Sequence, residues 1–137
     1  MKPLRKKTFL AVLIFSAVFM LFASTGISAN VERITIEELK GIMGGETVLI
    51  LDVRAGRDWS SSEFKIKGAE RAAPNEFNSW SNKYPKDKML VLYCAWTNEA
   101  TSAGLAQKLL SNGYTKVYAL KGGWKEWFRA KFPVVDK

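Results

Sequence analysis

One side chain in this 137-residue chain is suited to covalent chemistry: Cys94, the only cysteine in a sequence without histidine. A thiolate attacks readily and also leaves readily, the combination that group transfer requires. Without an imidazole, Ser-His-Asp and Cys-His machinery are excluded, and the usual zinc ligands are missing. No metal and no cofactor is expected. Activation of Cys94 must come from backbone groups and fixed charges around it. On position alone a second reading stays open, that of a small hydrophobe packed at a strand end, because free cysteine is commonly buried.

The elements around Cys94 decide what the thiol can do. Met89-Leu90-Val91-Leu92-Tyr93 reads as a buried strand, and Thr97 or Asn98 reads as the cap of a helix reaching about Leu110. Ala103, Ala106, Leu109 and Leu110 form its apolar face, and Asn112-Gly113 ends it. A loop turning from strand into helix points successive N–H groups inward, and the helix dipole adds positive charge. Ala95, Trp96, Thr97, Asn98 and Glu99 are therefore the expected anion-cradling loop, with Thr101 in support. Glu99 opposes a negative sulfur unless its carboxylate points away. Trp96 walls the pocket or packs on its rim.

A second strand, Thr47–Leu51, exits through Asp52-Val53-Arg54. Asp52 and Arg54 are expected to hold the loops of the site by ion pairing, and Lys65 to steer anions or simply to be solvated. Thr35-Ile36-Glu37-Glu38 has the form of a capping box and starts a helix stopped by Gly44-Gly45. Val117–Leu120 reads as a last strand, and Gly122-Gly123 opens a helix over Trp124–Ala130. Strands alternating with helices predict an α/β fold with parallel crossovers, and ligand sites in such folds lie at the carboxyl ends of the strands.

The chain has room for one domain. Its first 29 residues read as a secretory signal peptide: Lys2, Arg5, Lys6 and Lys7, an apolar run from Phe9 to Ala23, then small residues ending Ile27-Ser28-Ala29. The alternative is an uncleaved anchor, the only expected membrane attachment. Residues 30–137 form the folded domain, expected in the periplasm or outside the cell. The four leading basic residues carry half of the net charge of +8, leaving +4. No basic block remains in residues 30–137 to indicate nucleic-acid binding. An exported lone thiol also calls for a redox partner protein.

Several spaced segments resemble the rhodanese homology domain. Leu51-Asp52-Val53-Arg54 with Asp58-Trp59 resembles its L-D-V-R…E-[YW] signature, and Lys65-Ile66-Lys67-Gly68-Ala69 its H-I-x-G-A. Leu92-Tyr93-Cys94 is similar to the entry of its active loop. Gly113-Tyr114, Val117, Leu120, Gly122-Gly123-Trp124 and Trp127 resemble its tail, and Pro133-Val134 its end.

The resemblance spans roughly residues 32–135. It implies a rhodanese-like fold, a five-stranded, mostly parallel sheet flanked by helices on both faces. It also implies transfer of sulfane sulfur from a small anionic donor such as thiosulfate, through a Cys94 persulfide, to a thiol or cyanide. The loop departs from the family in lacking a basic residue and in being longer, although its Cys94…Asn98-Glu99-Ala100-Thr101-Ser102 is similar to one subset of it. The alternatives are a catalytically silent partner-binding module and a Cys-based oxyanion phosphatase or arsenate reductase. The last needs a loop arginine that this sequence lacks.

Overall fold

The computed structural model describes residues 30–137, so the export segment expected over residues 1–29 lies outside the described residues. The elements are β1 Glu32–Ile34, α1 Ile36–Ile42, β2 Val48–Asp52, α2 Gly56–Ser60, β3 Phe64–Ile66 and β4 Glu70–Arg71. After a 3-10 turn at Pro74–Glu76 come α3 Phe77–Trp80, β5 Met89–Tyr93, α4 Ala100–Ser111, β6 Val117–Leu120, α5 Gly123–Arg129 and β7 Val134–Asp136. Five strands form one parallel sheet in the order β1-β6-β5-β2-β4, while β3 and β7 form a separate antiparallel pair.

The central strands are apolar because both faces of the sheet are covered. Along β5, Leu90, Leu92 and Cys94 join one core with Leu105, Ala106 and Leu109 of α4. Val91 and Tyr93 join the opposite core with Leu39 of α1 and Trp127 of α5. This two-residue alternation puts Cys94 on the α4 face of the sheet and Tyr93 on the α5 face. Thr35 caps α1 as a reciprocal box, accepting from the Glu38 N–H at 3.1 Å while its own N–H donates to Glu38 Oε2 at 2.8 Å.

The structure departs from the sequence expectations at three points. First, α4 starts at Ala100, with Glu99 as its N-cap in the left-handed region at φ 51°. Asn98 still helps, since its Oδ1 accepts from the Ala100 N–H at 3.3 Å. Second, the buried face of α4 is Ser102, Leu105, Ala106 and Leu109, with Ala103 and Leu110 only half-buried. The face is rotated because Ser102, polar by type, is satisfied inside: its hydroxyl donates to the Glu99 carbonyl at 3.1 Å. Third, β1 and β7 carry no clear strand pattern, and they exist through their pairing with β6 and β3.

Candidate functional site

Cys94 is the first residue beyond β5 and is 5% exposed. Its Sγ lies 3.5 Å from Ser102 Oγ, the third residue of α4, and 3.9 Å from the Trp96 carbonyl. That contact puts the sulfur at the first turn of a twelve-residue helix, whose positive dipole end faces whatever negative charge the sulfur carries. Residues 95–98 lie outside the strand and helix ladders. Two features of α5 hold the loop from below. The Trp124 N–H donates to the Cys94 carbonyl at 2.8 Å. Gly123, at φ 57°, lies so close that a Cβ there would sit 2.5 Å from the same carbonyl oxygen. Only glycine fits that approach at that backbone angle.

Glu99 does not face the sulfur as a free charge: its carboxylate is drawn to Arg33 of β1, with Nε to Oε1 at 3.5 Å. Ala95 is half-buried, and Trp96, Thr97 and Asn98 are exposed. Thr101 is half-buried on the first turn of α4. Lys65 Nζ donates to the Ala69 carbonyl at 2.9 Å, so its ammonium is tied to the turn between β3 and β4 and not to the active loop.

Asp52 and Arg54 form a buried ion pair at the exit of β2. Parallel register sets Asp52 beside Tyr93 on β5 and beside Arg71 on β4. Both Asp52 and Arg54 are fully buried. Arg54 donates from Nε at 3.0 Å and from Nη2 at 2.7 Å to the Asp52 carboxylate, which also accepts from the Tyr93 hydroxyl at 2.6 Å. Arg71 Nη1 stands 3.6 Å from Asp52 Oδ1 and donates to the Arg54 carbonyl at 2.6 Å. The Arg54 guanidinium stacks over Trp124 at 4.5 Å from the ring centre and over Trp59 at 5.3 Å. The buried ion pair is thereby linked through Trp124 to the backbone of Cys94. Sequence reasoning missed Ser102, Tyr93, Arg71 and Trp124 as parts of this arrangement. The Asp52–Tyr93 contact crosses 41 positions, and no local signal carries it.

Beside the loop opens a cavity of about 480 Å³, its walls including Ala95, Trp96, Phe64, Trp124 and Phe128. The electrostatics beneath it have a measurable consequence. Burial, and then the Asp52 charge, push the Tyr93 hydroxyl well above the ordinary tyrosine range. Tyr84 is pushed up by burial and by Glu70. In the unfolded chain tyrosine loses its proton near pH ~10, whereas folded Tyr93 keeps it. Stability from this group is complete below that pH and is lost as pH rises further. The expected slope is about 1.4 kcal/mol per pH unit from Tyr93, with a smaller part from half-exposed Tyr84. Melts at increasing alkaline pH should show this fall, and Tyr93→Phe should make it shallower. An unchanged slope in that variant would contradict the assignment.

A family model described as the rhodanese-like domain matches residues 35–130. Protein YqhL of Bacillus subtilis (strain 168) is 29% identical over 120 residues, covering 86% of this chain and 90% of its own. The thiosulfate sulfurtransferase GlpE of Glaesserella parasuis serovar 5 is 26% identical over 102 residues, covering 74% of this chain and 91% of its own. Among solved structures, the rhodanese-like domain of the Anabaena sp. Alr3790 protein superposes with a TM-score of 0.65 at 23% identity, over 77% of this chain and 79% of that one.

Proposed function

Because the chain belongs to the rhodanese-like domain family, we propose that it is a sulfurtransferase that carries sulfane sulfur on Cys94. The observation that carries this reading is the placement of the sole thiol at the end of β5, 3.5 Å from Ser102 on the first turn of α4. The Cys94 thiolate attacks the outer sulfur of a sulfane donor. The donor's S–S bond breaks, its electron pair leaves with the donor remnant (sulfite, if thiosulfate is the donor), and Cys94 holds a persulfide. An acceptor thiolate or cyanide then attacks the outer sulfur. The Cys94 Sγ–S bond breaks, and the electron pair returns to Sγ.

Ser102 supports both half-reactions. Its hydroxyl now donates to the Glu99 carbonyl, and a rotation turns the same O–H toward an anionic sulfur. Ser102→Ala should lower turnover about tenfold, the scale of one hydrogen bond to a charged group. Unchanged turnover would remove Ser102 from the reaction. The same proposal puts the protein outside the cytoplasm, on the strength of the basic and apolar layout of residues 1–29.

The reading is tested by intact mass and by cyanolysis. The protein is treated with thiosulfate or with glutathione persulfide, desalted and weighed. A gain of one sulfur atom, lost again on adding cyanide with release of thiocyanate, is the expected result. A mass that never changes with either donor would leave a partner-binding module as the better account.

A further inference from the structure

The cavity beside Cys94 has an unusual lining for a site that meets sulfur anions. Its walls are the rings of Phe64, Trp96, Trp124 and Phe128, and its charged lining residues are Asp58 and Glu63, with no lysine or arginine among them. The rings form a connected wall: Phe64 stacks on Phe128 at 6.3 Å, and Phe128 meets Trp124 at 5.4 Å. Trp96 is 57% exposed and Phe128 50%, and only Ile42 joins them as an exposed large hydrophobic among the described residues. Two of the three therefore stand at this one opening. These rings already hold cations: the Lys125 ammonium lies 5.0 Å from the centre of Trp96, and the Arg54 guanidinium 4.5 Å from that of Trp124. The Arg54 charge is balanced by Asp52 at 2.7 Å. Two opposing charges stand nearby: Lys125 on Trp96, and Lys137, whose ammonium lies over the Trp59 ring at 4.3 Å and whose backbone N–H donates to the Glu63 carbonyl at 3.1 Å. Neither lines the cavity, as Asp58 and Glu63 do, so they weaken the preference without removing it.

We propose that this cavity recognises the sulfur acceptor, and that the acceptor is a small organic thiol with an apolar body and a protonated amine. The rings take the body, while Asp58 and Glu63 take the ammonium. The chemistry rests on the sulfurtransferase reading. The acceptor thiolate forms a new S–S bond to the outer sulfur of the Cys94 persulfide as the Sγ–S bond breaks and its electron pair returns to Sγ. The acceptor leaves as a persulfide, and there is no net oxidation or reduction.

Two measurements keep the cavity and the chemistry apart. Binding is followed by tryptophan fluorescence with two non-thiol probes of matched size, 2-phenylethylamine and 3-phenylpropionate. The amine should bind at least about fivefold more tightly. In protein carrying Asp58→Asn and Glu63→Gln the ratio should fall to near one, and Phe128→Ala should weaken both probes. Transfer is then followed on sulfur-loaded protein with cysteamine and 3-mercaptopropionate, compared per thiolate. Cysteamine should react at least about fivefold faster, and the double substitution should remove the difference. Equal or tighter binding of the carboxylate probe, or a preference that survives the double substitution, would overturn the proposal. If the protein never loads with sulfur, the sulfurtransferase reading fails, and the fluorescence ratio still decides the cavity.

Discussion

Replacing Cys94 by serine is expected to abolish sulfur loading and to lower sulfurtransferase turnover by at least about a thousandfold while leaving the fold intact. The reason is chemical. Transfer needs a nucleophile that captures sulfane sulfur and later releases it, and a serine alkoxide is neither available at neutral pH nor able to form a persulfide. The fold should survive because serine is close to cysteine in size. Its hydroxyl would face Ser102 Oγ, which lies 3.5 Å from the sulfur it replaces. The stability cost should be below about 2 kcal/mol. Intact mass after donor treatment, thiocyanate release and a thermal melt of the same sample check the three parts together. Wild-type turnover in Cys94→Ser would mean that another group carries the chemistry. Loss of turnover together with loss of the folded state would mean that Cys94 is mainly a packing residue.

The second large effect belongs to Asp52. Its carboxylate holds Arg54, Tyr93 and Arg71 in a site with no solvent exposure on the Asp52–Arg54 pair. Truncating one member of a buried pair leaves the other charge stranded, at a cost of about 3–5 kcal/mol. For a domain whose total stability is about 5–15 kcal/mol, Asp52→Ala should lower the melting temperature by roughly 15 °C.

The pair can be distinguished from a general packing defect by a cycle. If Asp52→Asn and Arg54→Met each destabilise, the double variant should lose clearly less than their sum, because no fully buried unpaired charge remains and the partly exposed Arg71 keeps access to water. Additive losses would mean that the two residues do not act as a pair. Turnover should fall along with stability in Arg54→Met. The guanidinium packs against Trp124, and the Trp124 N–H holds the Cys94 carbonyl. Arg54 is in this sense a positioning residue, acting on the thiol through the ring and the backbone beyond it. A split between KM and kcat separates that role from substrate binding, with kcat expected to carry the loss.

The sequence by itself determined where the thiol sits along the chain and what kind of scaffold carries it. Short apolar runs, a capping box and helix-ending glycines are written in neighbouring residues, and each acts within a few positions. That is why Met89–Tyr93, the helix after it and the exit at Asp52-Val53-Arg54 were all legible, and why the spaced motifs resembled one family. It did not determine the surroundings of Cys94. Ser102 reads as an ordinary polar helix residue until α4 is packed on β5. Glu99 reads as a threat to an anionic sulfur until β1 brings Arg33 within 3.5 Å. The Asp52–Tyr93 bond depends on the parallel register of β2 and β5, and the aromatic cavity joins residues near position 60 to α5. These contacts run between segments far apart in the chain, and their energies come from burial and pairing that exist only once the sheet has been closed on both faces. Tertiary structure therefore decided what the thiol faces and which molecules can reach it.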